Sequence, residues 1–326
     1  MASNLNIRLF GRLTIERNGH SLPDIERKHQ ELFVYLLLDR RRIHSREVLA
    51  GQFWGEATTT QSKKNLRQAL WQIHSLLAPN GGRDSVSQDP SETPLLQIDD
   101  AWVQVDQHAA VWIDTVELEN ANEQTQSTPG GQFAAPVFER LKNAVDQYRG
   151  DLFEGCYQDW CLFERERLQN LYLTCLGKLM DYCEIHHEYE LGLDFCGRIL
   201  RVDWCHEPTY RRMMRFYYFL GDRTAAIRQF QHCCAALKKE LNIEPEARTL
   251  ALFRFLQTGQ AEPEMEPGTG ITNNGKDDAP DANKTDQGEA GDVIVKLGVM
   301  RKSLANIQRQ AQESIKQIDQ MIKKIG

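Results

Sequence analysis

The sequence predicts a mainly α-helical chain with a small β component, on three observations. Apolar and polar residues alternate near the N-terminus and again around residue 100, whereas elsewhere up to residue 260 the apolar positions recur at helical spacing. The pattern YELGL at 189–193 returns as RTAAI at 223–227, an offset of 34 that matches the period of paired-helix repeats. Residues 261–292 then contain no aromatic side chain and nine acidic residues against two basic ones, which ends the packed part of the chain. A length of 326 residues accommodates about two domains.

In chain order, Leu5-Ile7-Leu9 and Leu13-Ile15 alternate with polar residues and break at Gly11 and Asn18-Gly19, so residues 5–22 read as a small antiparallel sheet with tight turns. From Glu26 the spacing changes. Leu32, Val34, Tyr35 and residues 36–38 predict an amphipathic helix ending at Arg40-Arg41-Arg42. Ser45 stands where it would cap a second helix through Val48, Leu49 and Phe53, with Glu47 in its first turn and Gly55 at its end. A third helix is expected over residues 61–77. Its wheel gathers Leu66, Ala69, Leu70, Ile73, Leu76 and Leu77 on one side and Lys64, Arg67, Gln68, Trp71 and Ser75 on the other, with Lys63 and His74 at the margin. Beyond a polar loop at 79–94, residues 95–98 and 102–105 flank Asp99-Asp100-Ala101 and read as a hairpin.

Sheet, three helices and closing hairpin make a winged helix-turn-helix, whose third helix would enter the major groove while the hairpin lies along the backbone or a minor groove. Arginine bonds guanine in bidentate fashion, glutamine does the same with adenine, and lysine neutralises phosphate. The candidate DNA-binding residues are therefore Lys63, Lys64, Arg67, Gln68, Trp71 and Ser75, with Trp102 on the hairpin. A solvated helix face would explain the charges alone; an exposed indole at Trp71 points to a partner, either DNA or another protein. The formal net charge of −7 does not oppose this, because residues 1–82 carry twelve Lys and Arg against seven Asp and Glu.

These segments also resemble a known family. NIRLFGRLTIERNG, LFVYLLLDRRRIHSREVLAGQFWG and NLRQALWQIHSLL look like the OmpR-type winged-helix domain that opens SARP-like bacterial transcriptional activators. The resemblance implies that Lys63, Lys64, Arg67, Gln68 and Trp71 occupy recognition-helix positions. The chain departs from the family pattern at Ala101-Trp102, where a Gly-Tyr pair is common, and at Trp71, where smaller or basic residues are usual.

From Val111 the pattern is helical with almost no strand signal. Helices are expected to begin near Val116, to resume after the polar insert NEQTQSTPGGQ around residues 138–148, and to follow over 160–185, 188–201, 208–220, 223–241 and 246–257. Small residues at Gly192 and Ala226 would let paired helices approach closely, as in stacked tetratricopeptide-like repeats. YRGDLFEGCYQDWCLFERERLQNLYLTCL (148–176) and MMRFYYFLGDRTAAIRQFQHCCAALKKELNIEPEARTLALFRFLQTGQ (213–260) closely resemble the bacterial transcriptional activator domain, the family's second module. That resemblance implies a tetratricopeptide-like fold that packs on the winged helix and supports dimerisation or contact with RNA polymerase. Asp159-Trp160, residues 164–167 and Gly221-Asp222-Arg223 are expected to hold the helices together.

All eight cysteines fall between Cys156 and Cys234 without a C-x-x-C pair, so we expect buried apolar side chains, no disulfide and no metal site. Gly270 to Asp277 approaches a phosphate-binding spacing, but the final position lacks the metal-binding hydroxyl and no strand precedes it. No nucleophile elbow, zinc-binding helix or paired-carboxylate motif occurs, so neither enzyme activity nor a cofactor is expected. A heptad seam, Leu297-Leu304-Ala311-Ile318-Ile325 with Met300-Ile307-Ser314-Met321, predicts a C-terminal amphipathic helix suited to self-association. No apolar run reaches membrane-spanning length and the N-terminus lacks a signal-peptide layout, so a cytoplasmic protein without membrane contact is expected.

The expected organisation is a winged-helix DNA-binding domain (1–106), a tetratricopeptide-like activator domain (111–260), a disordered acidic linker (261–292) and a heptad-patterned helix (293–326). Two functions follow. One is a sequence-specific transcriptional activator whose partners are double-stranded DNA, RNA polymerase and a second copy of itself. The other is a protein-interaction adaptor in which the winged helix binds protein through Trp71.

Overall fold

A computed structural model describes residues 5–78 and 94–259. The loop at 79–93, the acidic linker, the near phosphate-binding spacing and the heptad-patterned helix lie outside the described residues. At the N-terminus β1 (Leu5–Arg8) pairs antiparallel with β2 (Thr14–Arg17), Ile7 facing Ile15 in register. Asn18 and Gly19 both take positive φ, +50° and +81°, and turn the chain into β3 (His20–Ser21). Two successive left-handed residues are what a tight hairpin turn demands. Then follow α1 (Arg27–Leu38), β4 (His44–Ser45), α2 (Arg46–Trp54), α3 (Thr59–Leu77) and the hairpin β5 (Leu96–Ile98) and β6 (Trp102–Val105). The hairpin extends into a three-stranded sheet, order β4-β6-β5.

Two local expectations change here. Ser45 precedes α2 as expected, yet its side chain makes no capping hydrogen bond; the residue is held instead as the end of β4, opposite Trp102. Val48, expected on the buried side of α2, is 64% exposed, because Leu49, Ala50 and Phe53 already fill that interface.

Val111–Ile113, where the pattern predicted only helices, is a strand. This β7 runs parallel to β1 and completes a sheet of order β3-β2-β1-β7. Three residues are too few to show alternation, and β7 depends on a partner more than one hundred residues away in sequence. α4 (Asp114–Gln124) starts immediately afterwards. The buried Asp114 carboxylate accepts from the backbone N–H groups of Leu9 (2.9 Å), Phe10 (3.0 Å) and Thr115 (2.8 Å), tying the end of β1 to the start of α4.

The remaining helices are α5 (Ala135–Val145), α6 (Asp159–Ile185), α7 (Tyr189–Val202), α8 (Glu207–Phe219), α9 (Arg223–Glu240) and α10 (Ala247–Thr258). α7 and α9 begin 34 residues apart, at the two copies of the repeated pattern. Gly192 and Ala226 are both buried, and Phe216 of α8 lies so close to Gly192 that an added Cβ would meet its ring at 2.6 Å. The polar insert is a packed element as well. Gly130 and Gly131 lie against α6 in a short 3-10 turn, and the Lys178 ammonium donates to the Thr125 carbonyl and hydroxyl at 3.1 Å, closing the end of α4.

The segments expected to hold helices together do so by identifiable bonds. Arg165 donates to the carbonyls of Leu152 and Cys156 at 3.0 Å, Asp222 accepts from Ala225 N at 2.8 Å to cap α9, and Arg223 donates to the carbonyls of Leu256 and Gln257. Trp160 sets its indole edge-on to Tyr35 of α1 at 5.4 Å. Six cysteines are buried, and burial pushes the thiols of Cys175, Cys183, Cys196 and Cys233 up to about 12, the behaviour of packing groups rather than nucleophiles. Cys156 differs: a hydrogen bond with Cys161 brings its thiol down to about 7.

Candidate nucleic-acid interface

α3 is held on three sides. At its start the Thr58 side chain accepts from Gln61 N, and the buried Ser62 hydroxyl donates to the Trp54 carbonyl at 2.7 Å. Midway, Gln72 meets His29 of α1, Oε1 to Nδ1, at 2.7 Å. At its end Arg17 of β2 donates to the carbonyls of Leu77 (2.6 Å) and Ala78 (2.5 Å), a cation on helix carbonyls that lack intrahelical partners. Its inner face is Leu66, Ala69, Leu70 and Ile73, as the wheel predicted; Leu76 and Leu77 are half-buried.

The outer face carries Lys63, Lys64, Arg67, Gln68 and Trp71, all exposed, Trp71 to 68%. These five sequence-predicted residues therefore share one open surface. Ser75 is half-buried on the far side of Trp71. There it lines a shallow cleft of about 840 Å³ with Arg17, His20, Leu22 and Ile25. Trp102 is half-buried on β6 and does not join the α3 row.

A second cleft, of about 720 Å³, separates α3 from the hairpin and is lined by Lys63, Arg67, Trp71 and His74 on one side and Ile98 and Asp100 on the other. The hairpin is fixed to α2: Arg46 N donates to the Ala101 carbonyl at 3.0 Å, and its guanidinium donates to the Asp99 carbonyl at 2.7 Å. Trp71 borders both clefts.

Sequence reasoning missed Arg17, His29 and Arg46, which position the surface, and it missed the relation of Glu47 to Lys63. The Lys63 ammonium sits 2.9 Å from Glu47 Oε1, both side chains largely solvent-facing. That hydrogen bond, with the lysine's charge, holds the Glu47 carboxyl below its usual range. Nothing in the sequence pairs residues sixteen apart on separate helices. Among the described residues no cluster of His, Cys, Asp and Glu could hold a metal ion, and no helix is long and apolar enough to cross a membrane.

The described residues thus form a winged helix with an open basic and amide-bearing third helix, packed on paired helices. Residues 113–257 match the family model described as the bacterial transcriptional activator domain. Over that segment, less than half of its length, the chain therefore carries a bacterial transcriptional activator domain; the match does not extend over the winged helix. Among solved structures it is similar to Mycobacterium tuberculosis EmbR in complex with a low-affinity phosphopeptide, at a TM-score of 0.63 and 15% identity over 80% of this chain and 67% of that one. At that identity the likeness establishes the fold, which extends beyond the activator domain alone. No curated protein matches the chain.

Proposed function

We propose that the protein is a cytoplasmic, non-enzymatic transcriptional activator that binds specific DNA, as direct repeats near promoters, through α3 and recruits RNA polymerase through its helical array. The observation that carries the reading is the exposed row Lys63, Lys64, Arg67, Gln68 and Trp71 on a helix whose opposite face is buried. Long basic and amide side chains on a supported helix suit major-groove reading, and an indole beside them suits a thymine methyl or the sugar-phosphate backbone. The activator domain supports a role in transcription. Two copies on adjacent repeats would meet through the helical array or the heptad-patterned helix.

Arg67→Ala tests it. Binding sites selected from random duplexes by the wild-type protein should bind the variant more weakly by ~1–3 kcal/mol, with preference relaxed at one base position. Unchanged preference in a gel-shift titration would remove α3 from recognition. If the wild-type protein binds no duplex even at low salt, the adaptor reading replaces this one.

A further inference from the structure

The α3–hairpin cleft is not uniformly basic. Lys63, Arg67, His74 and Arg46 share it with two carboxylates, Glu47 at the start of α2 and Asp100 at the hairpin tip. Glu47 serves no buried purpose: its side chain is 76% exposed, and the bond described for it is the one to Lys63, itself 52% exposed. An ion pair this exposed contributes little to stability. Its position on a surface meant for a polyanion is therefore what needs explaining.

We infer that Glu47 is a specificity-determining residue that lowers affinity for non-cognate DNA by occupying Lys63 and presenting a carboxylate to the phosphate backbone. This rests on the DNA-binding reading. Non-specific affinity comes almost entirely from cations neutralising phosphates, so one engaged lysine and one repelling carboxylate reduce it directly. Affinity for a cognate site draws in addition on base contacts from Arg67 and Gln68, which the pair leaves open. The discrimination between the two widens as a result.

The test is titration of the full chain against a random-sequence duplex and against a selected cognate duplex, from about 50 to 200 mM salt. Glu47→Gln should bind the random duplex about fivefold more tightly at low salt, with the gain fading as salt rises. Its plot of log affinity against log salt should steepen by about 0.9, the value for one added phosphate contact. Cognate affinity should rise by a smaller factor. Adding Lys63→Ala to Glu47→Gln should abolish most of the gain, whereas Lys63→Ala alone, which leaves the Glu47 carboxylate unpaired, should weaken random-duplex binding. An unchanged melting midpoint excludes a folding effect. Random-duplex binding that is equal or weaker in Glu47→Gln, with the wild type binding DNA normally, overturns the inference and leaves the function standing. Absence of DNA binding by both proteins overturns both.

Discussion

The histidine at the start of α8 links burial of one side chain to the pH range over which the fold is stable. His206 occupies the N-cap position, its Nδ1 lies 2.7 Å from the Thr209 hydroxyl, and burial lowers its pKa from the ordinary 6.5. A positive charge there would also oppose the helix dipole. The folded state thus binds fewer protons than the unfolded chain once pH falls below 6.5. The stability attached to this group is whole above that value and is lost as pH drops from 6.5 toward the depressed folded pKa. Urea midpoints at neutral and mildly acidic pH should therefore fall on acidification. His206→Gln, which keeps a hydrogen-bonding side chain but cannot protonate, should flatten that fall; an identical fall in both proteins would assign it to other groups.

At the scale of single elements, two glycines of α7 make opposite predictions. Glycine in a helix interior costs about 1 kcal/mol relative to alanine. A Cβ on Gly197 would meet nothing within 4 Å, so Gly197→Ala should stabilise by roughly 0.5–1 kcal/mol. A Cβ on Gly192 would strike the fully buried Phe216 ring, and overpacking of about 1–3 kcal/mol exceeds the propensity gain. Gly192→Ala should therefore lower stability, and thermal melts of the two variants should move in opposite directions. Gly192 was legible in the sequence because a repeat exposes its close-packed positions by echo. The same holds for α1, α3 and α9, where helical spacing and flanking breakers speak within one window. β7 was illegible, being three residues long and defined by a distant strand, and Ser45 misled because a helix-capping residue also suits the end of a strand. The row on α3 could be read from its wheel. The groups that aim it could not, since Arg17 and His29 reach α3 from other elements.

Across the molecule, the winged helix and the helices up to α8 share one apolar core, so neither module ends where its motifs do, while α9 and α10 pack on α8 in two smaller clusters. Phe153 N donates to the Leu9 carbonyl and Glu154 N to the Gly11 carbonyl, both at 2.8 Å, adding the segment before α6 to the end of β1. Tyr148 bridges the modules by packing on Phe10 at 4.7 Å and Tyr172 at 4.0 Å. Glu119 of α4 takes Arg40, just beyond α1, at 2.9 Å and Arg167 of α6 at 2.6 Å. Trp160 enters from α6 between Tyr35 and Phe53, at 5.4 and 6.3 Å. A core continuous across the boundary predicts one cooperative transition for the winged helix together with α4 to α8, read equally by helix content and by tryptophan fluorescence. Trp160→Ala removes the indole joining α1 and α2 to α6. It should cost roughly 3 kcal/mol, the low end for a tryptophan truncation because the ring is only half-buried. It should also separate the two probes, the winged helix melting first because it loses its support while β1 and β7 remain paired. Coincident transitions in Trp160→Ala would place the coupling in the β1–β7 and Asp114 contacts, and two transitions in the wild type would show that the shared core does not bind the modules into one unit.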